Sequence, residues 1–280
     1  MRSELGMEQI GGAEESRIRK LLSISGTESV ATRARHHTYS VVRRYLRAVA
    51  ERASGSDWTN GSSSVSTAPL VLASGSPRRI AMLRDAGFEI EVEPADLDDS
   101  ALVLGDVEAR EVAPALAHFK ARRVAARRAA RGAPPAWILA ADTVCERDGV
   151  VLGKPRDDQD ARTMIKSLTG RGHGVVTGWC LMGPDGVCRV GRDMAWIVLG
   201  EIPDDEFERF IELGAWKGKA GGYNLPEVIA RGWPVRCEGD PETVVGLPLR
   251  RLEPMLREVL RDQPSDAAHP RVSRASERSA

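Results

Sequence analysis

The chain has 280 residues, 42% of them hydrophobic, enough for one substantial core with extensions. Its 40 basic and 40 acidic residues cancel, which argues against a general nucleic-acid coat while leaving room for a locally basic pocket. The four cysteines lack CxxC spacing, no apolar run reaches membrane-span length, and the N-terminus lacks a signal-peptide pattern, so a cytoplasmic protein without membrane or nucleic-acid partners is expected.

Texture divides the chain into three zones. Residues 1–68 carry scattered charge and a Gly/Ser/Thr-rich stretch from Ser54 to Thr67. Within them Val41, Val42, Tyr45, Leu46 and Val49 share one face and predict a helix over Tyr39–Arg52, followed by a flexible linker. Two readings of this zone stand: a native extension, or a mis-assigned start with translation beginning near Val65 or Val71. Residues 69–262 read as the globular domain. Residues 263–280, polar and interrupted by Pro264 and Pro270, read as a disordered tail.

In the globular zone, Leu70–Ala73 predicts a short buried strand. Ser76 and Pro77 then open a helix as N-cap and first helical residue, and Gly87 stops it. Phe88–Val92 predicts a second strand, and Val107–Arg131 a long Ala/Arg-rich helix with a break near Pro114. Trp137–Ala140 is another buried strand, and Asp148-Gly149 a hairpin signal between Val144 and Val151-Leu152. Asp157 caps a helix through Leu168. Gly174–Met182 is a strand that turns at Pro184-Asp-Gly186 into its partner. Further helices start at Pro203 and Pro248. Strands alternating with helices, plus two hairpins, define an α/β fold around a mixed, twisted sheet flanked by helices.

Several of these stretches carry chemistry. Ser74-Gly-Ser-Pro-Arg-Arg79 places two arginines in the first turn of a helix, where the macrodipole disfavours them unless an anion is held there. Asp142 follows a buried strand, at the strand end where α/β proteins keep their sites. Lys154, in Leu-Gly-Lys-Pro, is a point charge suited to phosphate. Lys120 borders the apolar face of the long helix. Lys219 and Arg250 lie in glycine-containing turns, and Asp96-Leu-Asp-Asp99 supplies carboxylates. Solvated turns and caps explain each feature singly. Together they suit a polyphosphate substrate with a divalent cation held by Asp142 and Asp99.

The order of these motifs resembles the Maf family. Leu72-Ala-Ser-Gly-Ser-Pro-Arg-Arg79, Lys120-Ala121, Ala141-Asp-Thr-Val144, Gly153-Lys-Pro155, Leu168-Thr-Gly170 with His173, Thr177-Gly178, Lys219-Ala-Gly221 and Val245-Gly-Leu-Pro-Leu249 carry the resemblance over residues 69–262. It implies two lobes around a central cleft, as in inosine-triphosphate pyrophosphatases, and a homodimer. It also implies hydrolysis of a nucleoside triphosphate to monophosphate and pyrophosphate with Mg²⁺, or Mn²⁺ or Co²⁺. The Arg-Arg pair leans toward the dTTP/UTP branch of the family. Carried over by position, Ser76, Arg78, Arg79, Lys120, Lys154 and Lys219 bind substrate. Asp142 is the catalytic proton acceptor and metal ligand, with Asp99 as second ligand. Asp99 replaces a family glutamate, Gly218 an aspartate and Pro226 a glutamine. The last two losses motivate an alternative: a catalytically weak nucleotide-binding regulator of septum formation.

Overall fold

The computed structural model describes residues 68–97 and 108–260. The extension before residue 68, the tail from residue 261, and Asp98 and Asp99 lie outside the described residues. The elements in chain order are β1 (Leu70–Leu72), α1 (Pro77–Asp85), β2 (Glu91–Val92), α2 (Ala109–Ala130), β3 (Trp137–Arg147), β4 (Val150–Leu152) and α3 (Asp158–Leu168). They continue with β5 (Arg171–Met182), β6 (Cys188–Leu199), α4 (Asp204–Glu212), a 3-10 turn (Ala220–Gly222), α5 (Leu225–Ala230), β7 (Val235–Glu238), α6 (Pro241–Val245) and α7 (Leu249–Leu260). The strands form one sheet in the order β2-β1-β3-β5-β6-β7, with β4 also on β3. Strands β1 and β2 pair in parallel, as do β1 and β3; the remaining ladders are antiparallel, so the sheet is mixed.

The pairing of β3 opens the site. Along one edge β5 accompanies residues 138–146 without interruption. On the other edge β1 covers residues 137–139 and β4 covers residues 145–147. Residues 140–144 therefore face a gap between two short strands. Asp142 was expected at a strand end. It lies instead within a continuous strand, at the place where the parallel neighbour has already turned away.

Side-chain alternation along β3 sends Ile138, Ala140 and Val144 into a core under α2 with Val112, Ala113 and Val124. Leu139 and Ala141 point to the opposite face, against Leu83 of α1 and Leu252 of α7. A third cluster is built on Ile165, Ile197, Leu199, Phe210 and Trp233.

The expected break in α2 does not occur: the helix runs through Pro114. Pro114 gives up one hydrogen bond, and packing offsets the loss. Gly178, the register partner of Asp142, lies directly under Ala113 and Pro114; a Cβ there would come within 2.1 Å of the Ala113 carbonyl carbon and the Pro114 nitrogen. Glycine lets the helix backbone settle onto the sheet beside Asp142. Further along, buried Glu93 bonds to Arg127, Arg128 and Arg131, tying α2 to the end of β2. Burial opposes the Glu93 charge, but the three guanidinium groups prevail and hold its carboxyl below the ordinary range.

The expected second strand is shorter than read, since only Glu91 and Val92 ladder with β1. Ser76 stands at the N-cap of α1 but its side chain caps nothing; its own N–H donates to Ser74 Oγ at 3.3 Å.

Gly178→Ala is expected to destabilise the fold by about 3 kcal/mol or more, because the clash is with helix backbone and not with a side chain that can swing away. A urea melt read by circular dichroism measures this, and a loss below about 1 kcal/mol would show that α2 is not seated on Gly178.

Candidate active site

A cleft of about 1060 Å³ opens at the gap beside β3. Its walls come from the β1–α1 turn, the exposed edge of β3, β4 with the following loop, and the 3-10 turn before α5. Among the sequence candidates, Ser76, Arg78, Arg79, Lys120, Asp142 and Lys154 line it.

Asp142 is 6% exposed and forms an ion pair with Lys120. The pairing follows from the packing of α2. Lys120 lies about two turns along from Ala113, on the same side of the helix, so the seat on Gly178 brings its ammonium over the sheet to Asp142. The cleft floor is thus a nearly buried carboxylate with a cation fixed beside it.

Arg78 and Arg79 are adjacent in sequence but diverge, since successive helix residues point about 100° apart. Arg79 is a staple. Its Nε donates to Gly246 O at 2.8 Å, one terminal nitrogen to Ser74 Oγ at 3.0 Å and the other to Thr143 Oγ1 at 3.0 Å. Thr177 Oγ1 donates to Thr243 O at 2.6 Å, so its contact with Thr143 Oγ1 at 2.8 Å has Thr143 as donor. One directed chain therefore runs from Arg79 through Thr143 and Thr177 to the backbone of α6. It joins the β1–α1 turn, β3, β5 and α6 behind the cleft. Arg79 was expected to contact substrate; the structure commits its guanidinium to this network.

Arg78 differs. Its Nε is buried without a hydrogen-bond partner, and burial lowers the guanidinium pKa, partly offset by the charge of Glu227. A cationic side chain that lines a cleft at a helix N-terminus, with one N–H left unpartnered, suits an anion. The first turn of α1 holds no acidic residue that could serve internally. Lys154 and Lys217 add positive charge at the mouth.

Lys219 does not line the cleft. Its ammonium pairs with Glu227 and with the Ala215 carbonyl, and Lys217 and Gly218 take its expected place in the wall. Arg250 is also outside it. Asp96 pairs with Arg127 at 2.8 Å, away from the floor. Pro226 is exposed in α5, whereas Asn224, just before it, lines the cleft.

Sequence reasoning assigned no site role to Tyr223, which lines the wall of the cleft. Its hydroxyl shares a 2.6 Å hydrogen bond with Nε2 of His173, which is fully buried. Burial pushes this imidazole down to about 4. His173 thus serves as a neutral post that fixes Tyr223.

Among the described residues no group of three or more His, Cys, Asp or Glu side chains is gathered to hold a metal, and no helix is long and apolar enough to cross a membrane. A near-buried carboxylate at the cleft floor nevertheless suits a hard cation of the Mg²⁺ type, which takes one or two carboxylates and completes its shell with water and substrate phosphate.

Fold and site together define an α/β protein with a cleft lined by arginine and lysine residues over a buried carboxylate. The family model described as "Maf-like protein" matches residues 69–259, and the chain belongs to that family. It is 43% identical over 198 residues to a dTTP/UTP pyrophosphatase of Salinibacter ruber, covering 68% of this chain and 90% of that protein. It is 39% identical over 188 residues to one of Koribacter versatilis, covering 67% and 93%. Among solved structures, a nucleoside-triphosphatase / dITP/XTP pyrophosphatase of Mycobacterium abscessus aligns with a TM-score of 0.36 at 19% identity, covering 69% of this chain and 98% of that one.

Two outcomes follow from this geometry. Arg79→Lys, which keeps the charge but loses the three-way fork, is expected to cost about 2–3 kcal/mol of stability in a urea melt; an unchanged midpoint would mean the staple carries no load. His173 titrates at about 4 in the fold against 6.5 as the ordinary value. Between these values the unfolded chain binds the proton first, so stability falls as pH drops from about 6.5 to about 4. Urea midpoints taken across this range should show the slope in the wild type and a shallower one in His173→Gln; equal slopes would contradict the assignment.

Proposed function

We propose that this chain is a metal-dependent nucleoside triphosphate pyrophosphatase, with dTTP and UTP the first candidates as substrates. The observation that carries the reading is the presence in one cleft of Arg78, a half-buried cation whose Nε is buried without a partner, and of the Asp142–Lys120 pair. The names of the relatives support the same reaction and pyrimidine substrates.

In this reading the triphosphate enters between the β1–α1 turn and the β4 loop. Arg78 and the N-terminal N–H groups of α1 take phosphate oxygens, with Lys154 and Lys217 at the mouth. Asp142 would hold a divalent cation together with Asp99, which lies outside the described residues. When bound, that cation supplies charge compensation for the phosphates and acidifies water. Lys120 fixes one oxygen of Asp142, so the carboxylate is oriented before substrate arrives. Asp142 then accepts the proton of the water that attacks the α-phosphorus. Pyrophosphate leaves with its charge balanced by Arg78 and the lysines.

Base recognition falls to the wall around Tyr223 and Asn224. The family glutamine is replaced by Pro226, which has no side-chain donor and points to solvent; the Asn224 carboxamide is the polar side chain of this segment that reaches the cleft.

The test is release from dTTP, UTP, CTP, GTP, 7-methyl-GTP and ITP with Mg²⁺ or Mn²⁺, reading pyrophosphate and orthophosphate separately. Pyrophosphate from the pyrimidine nucleotides is expected, and Asp142→Asn should lower the rate by about 100- to 10,000-fold. Nucleotide binding without release from any of them would favour the regulatory alternative, and orthophosphate as first product would place the protein in another hydrolase class.

A further inference from the structure

Away from the cleft, the sheet ends in an open edge. Strand β7 is last in the strand order, and among the described residues no strand pairs with its outer side. Gly200 N–H donates to Pro234 O at 2.6 Å, in line with the antiparallel β6–β7 register. Peptide groups alternate in direction along such a strand. Pro234, Arg236 and Glu238 therefore turn theirs toward β6, and Val235 and Cys237 turn theirs outward. Among the described residues no backbone hydrogen bond reaches these outward groups.

The side chains of this edge suit a copy of itself. Arg236 and Glu238 share one face, beside Val198 and Trp196 of β6. Both are exposed, and they pair with each other at 3.1 Å. On the same face of β6, Trp196 is 39% and Met194 52% exposed, so apolar surface adjoins the edge. Charges of one sign would repel an approaching copy in any register, which is one way that sheets protect their edges. One basic and one acidic residue two positions apart repel a copy in some registers and attract it in another.

We propose that β7 is an interaction surface for a second copy of this chain, paired antiparallel across a two-fold axis through Cys237. A ladder needs outward peptide groups face to face, so Val235 or Cys237 of one copy must lie opposite Val235 or Cys237 of the other. Val235 opposite Val235 sets Arg236 against Pro234 of the partner subunit and gains no ion pair. Val235 opposite Cys237 sets the two Arg236 side chains against each other. Cys237 opposite Cys237 sets Arg236 of each copy beside Glu238 of the partner subunit, twice by symmetry. The charges thus select the register. Strand addition of this kind joins the two sheets into one. With four residues per strand the contact is small, so the dimer is weak and depends on concentration.

The test is sedimentation velocity on the full chain from about 1 to about 100 μM, with hydrogen exchange at both ends of the range. The wild type should pass from monomer to dimer, and the Val235 and Cys237 amides should exchange more slowly in the dimer. Arg236→Glu and Glu238→Arg should each weaken association at least about tenfold, since each sets like charges opposite each other twice. The double variant, with the charges exchanged, should restore it. Both side chains are exposed, so the fold should survive the substitutions, which circular dichroism checks. The proposal is overturned by a wild type that stays monomeric, by single variants that associate as the wild type does, or by a double variant that fails to recover. A dimer that leaves the Val235 and Cys237 amides unprotected would place the contact elsewhere and overturn it too.

Discussion

The structure depends on how β3 is shared. A long strand with an unbroken partner on one edge keeps its shape, while two short strands on the other edge leave residues 140–144 facing open space. An open sheet edge is ordinarily a hazard, because its polar groups invite another strand. Here it is sunk inside the protein, between a strand that ends at Leu72 and a hairpin that begins at Val150. The cleft, the carboxylate on its floor and the helix N-terminus on its wall are consequences of where β1 stops.

Holding such a gap open requires support from behind. Arg79, Thr143, Thr177 and the backbone of α6 form a directed hydrogen-bond chain across the sheet, and Arg79 also grips Ser74 and Gly246. On the opposite face, Gly178 admits the backbone of α2, and this close seat sets the reach of Lys120 to Asp142. Two neighbouring arginines thus divide the labour, one engaged by the protein and one lining the cleft with its Nε unpartnered.

Much of this was legible in the sequence. The Ser-Pro-Arg-Arg turn, the Asp148-Gly149 hairpin and the Asp157 cap use local chemistry, and local chemistry survives folding. The division between Arg78 and Arg79 was not legible, because the groups that occupy Arg79 come from residues far along the chain. The position of Lys219 outside the cleft lining was not legible for the same reason: Glu227 pairs with it, and nothing in the turn around Lys219 announces that partner. Asp142 read as a strand end because an acid after apolar residues usually ends a strand; pairing with β5 carries the strand on. The short helices α5 and α6 went unread, although Asp240 followed by Pro241 is a legitimate start signal, with the Asp240 side chain accepting from Glu242 N–H at 3.0 Å.

The central claim is that water attacks the α-phosphorus under the guidance of Asp142. Hydrolysis of dTTP or UTP in heavy-oxygen water, with mass analysis of both products after a single turnover, tests it most directly. The account predicts the heavy oxygen in the nucleoside monophosphate and unlabelled pyrophosphate. Label in the pyrophosphate, or in free orthophosphate, would show that the attacked phosphorus is a different one and would contradict the account.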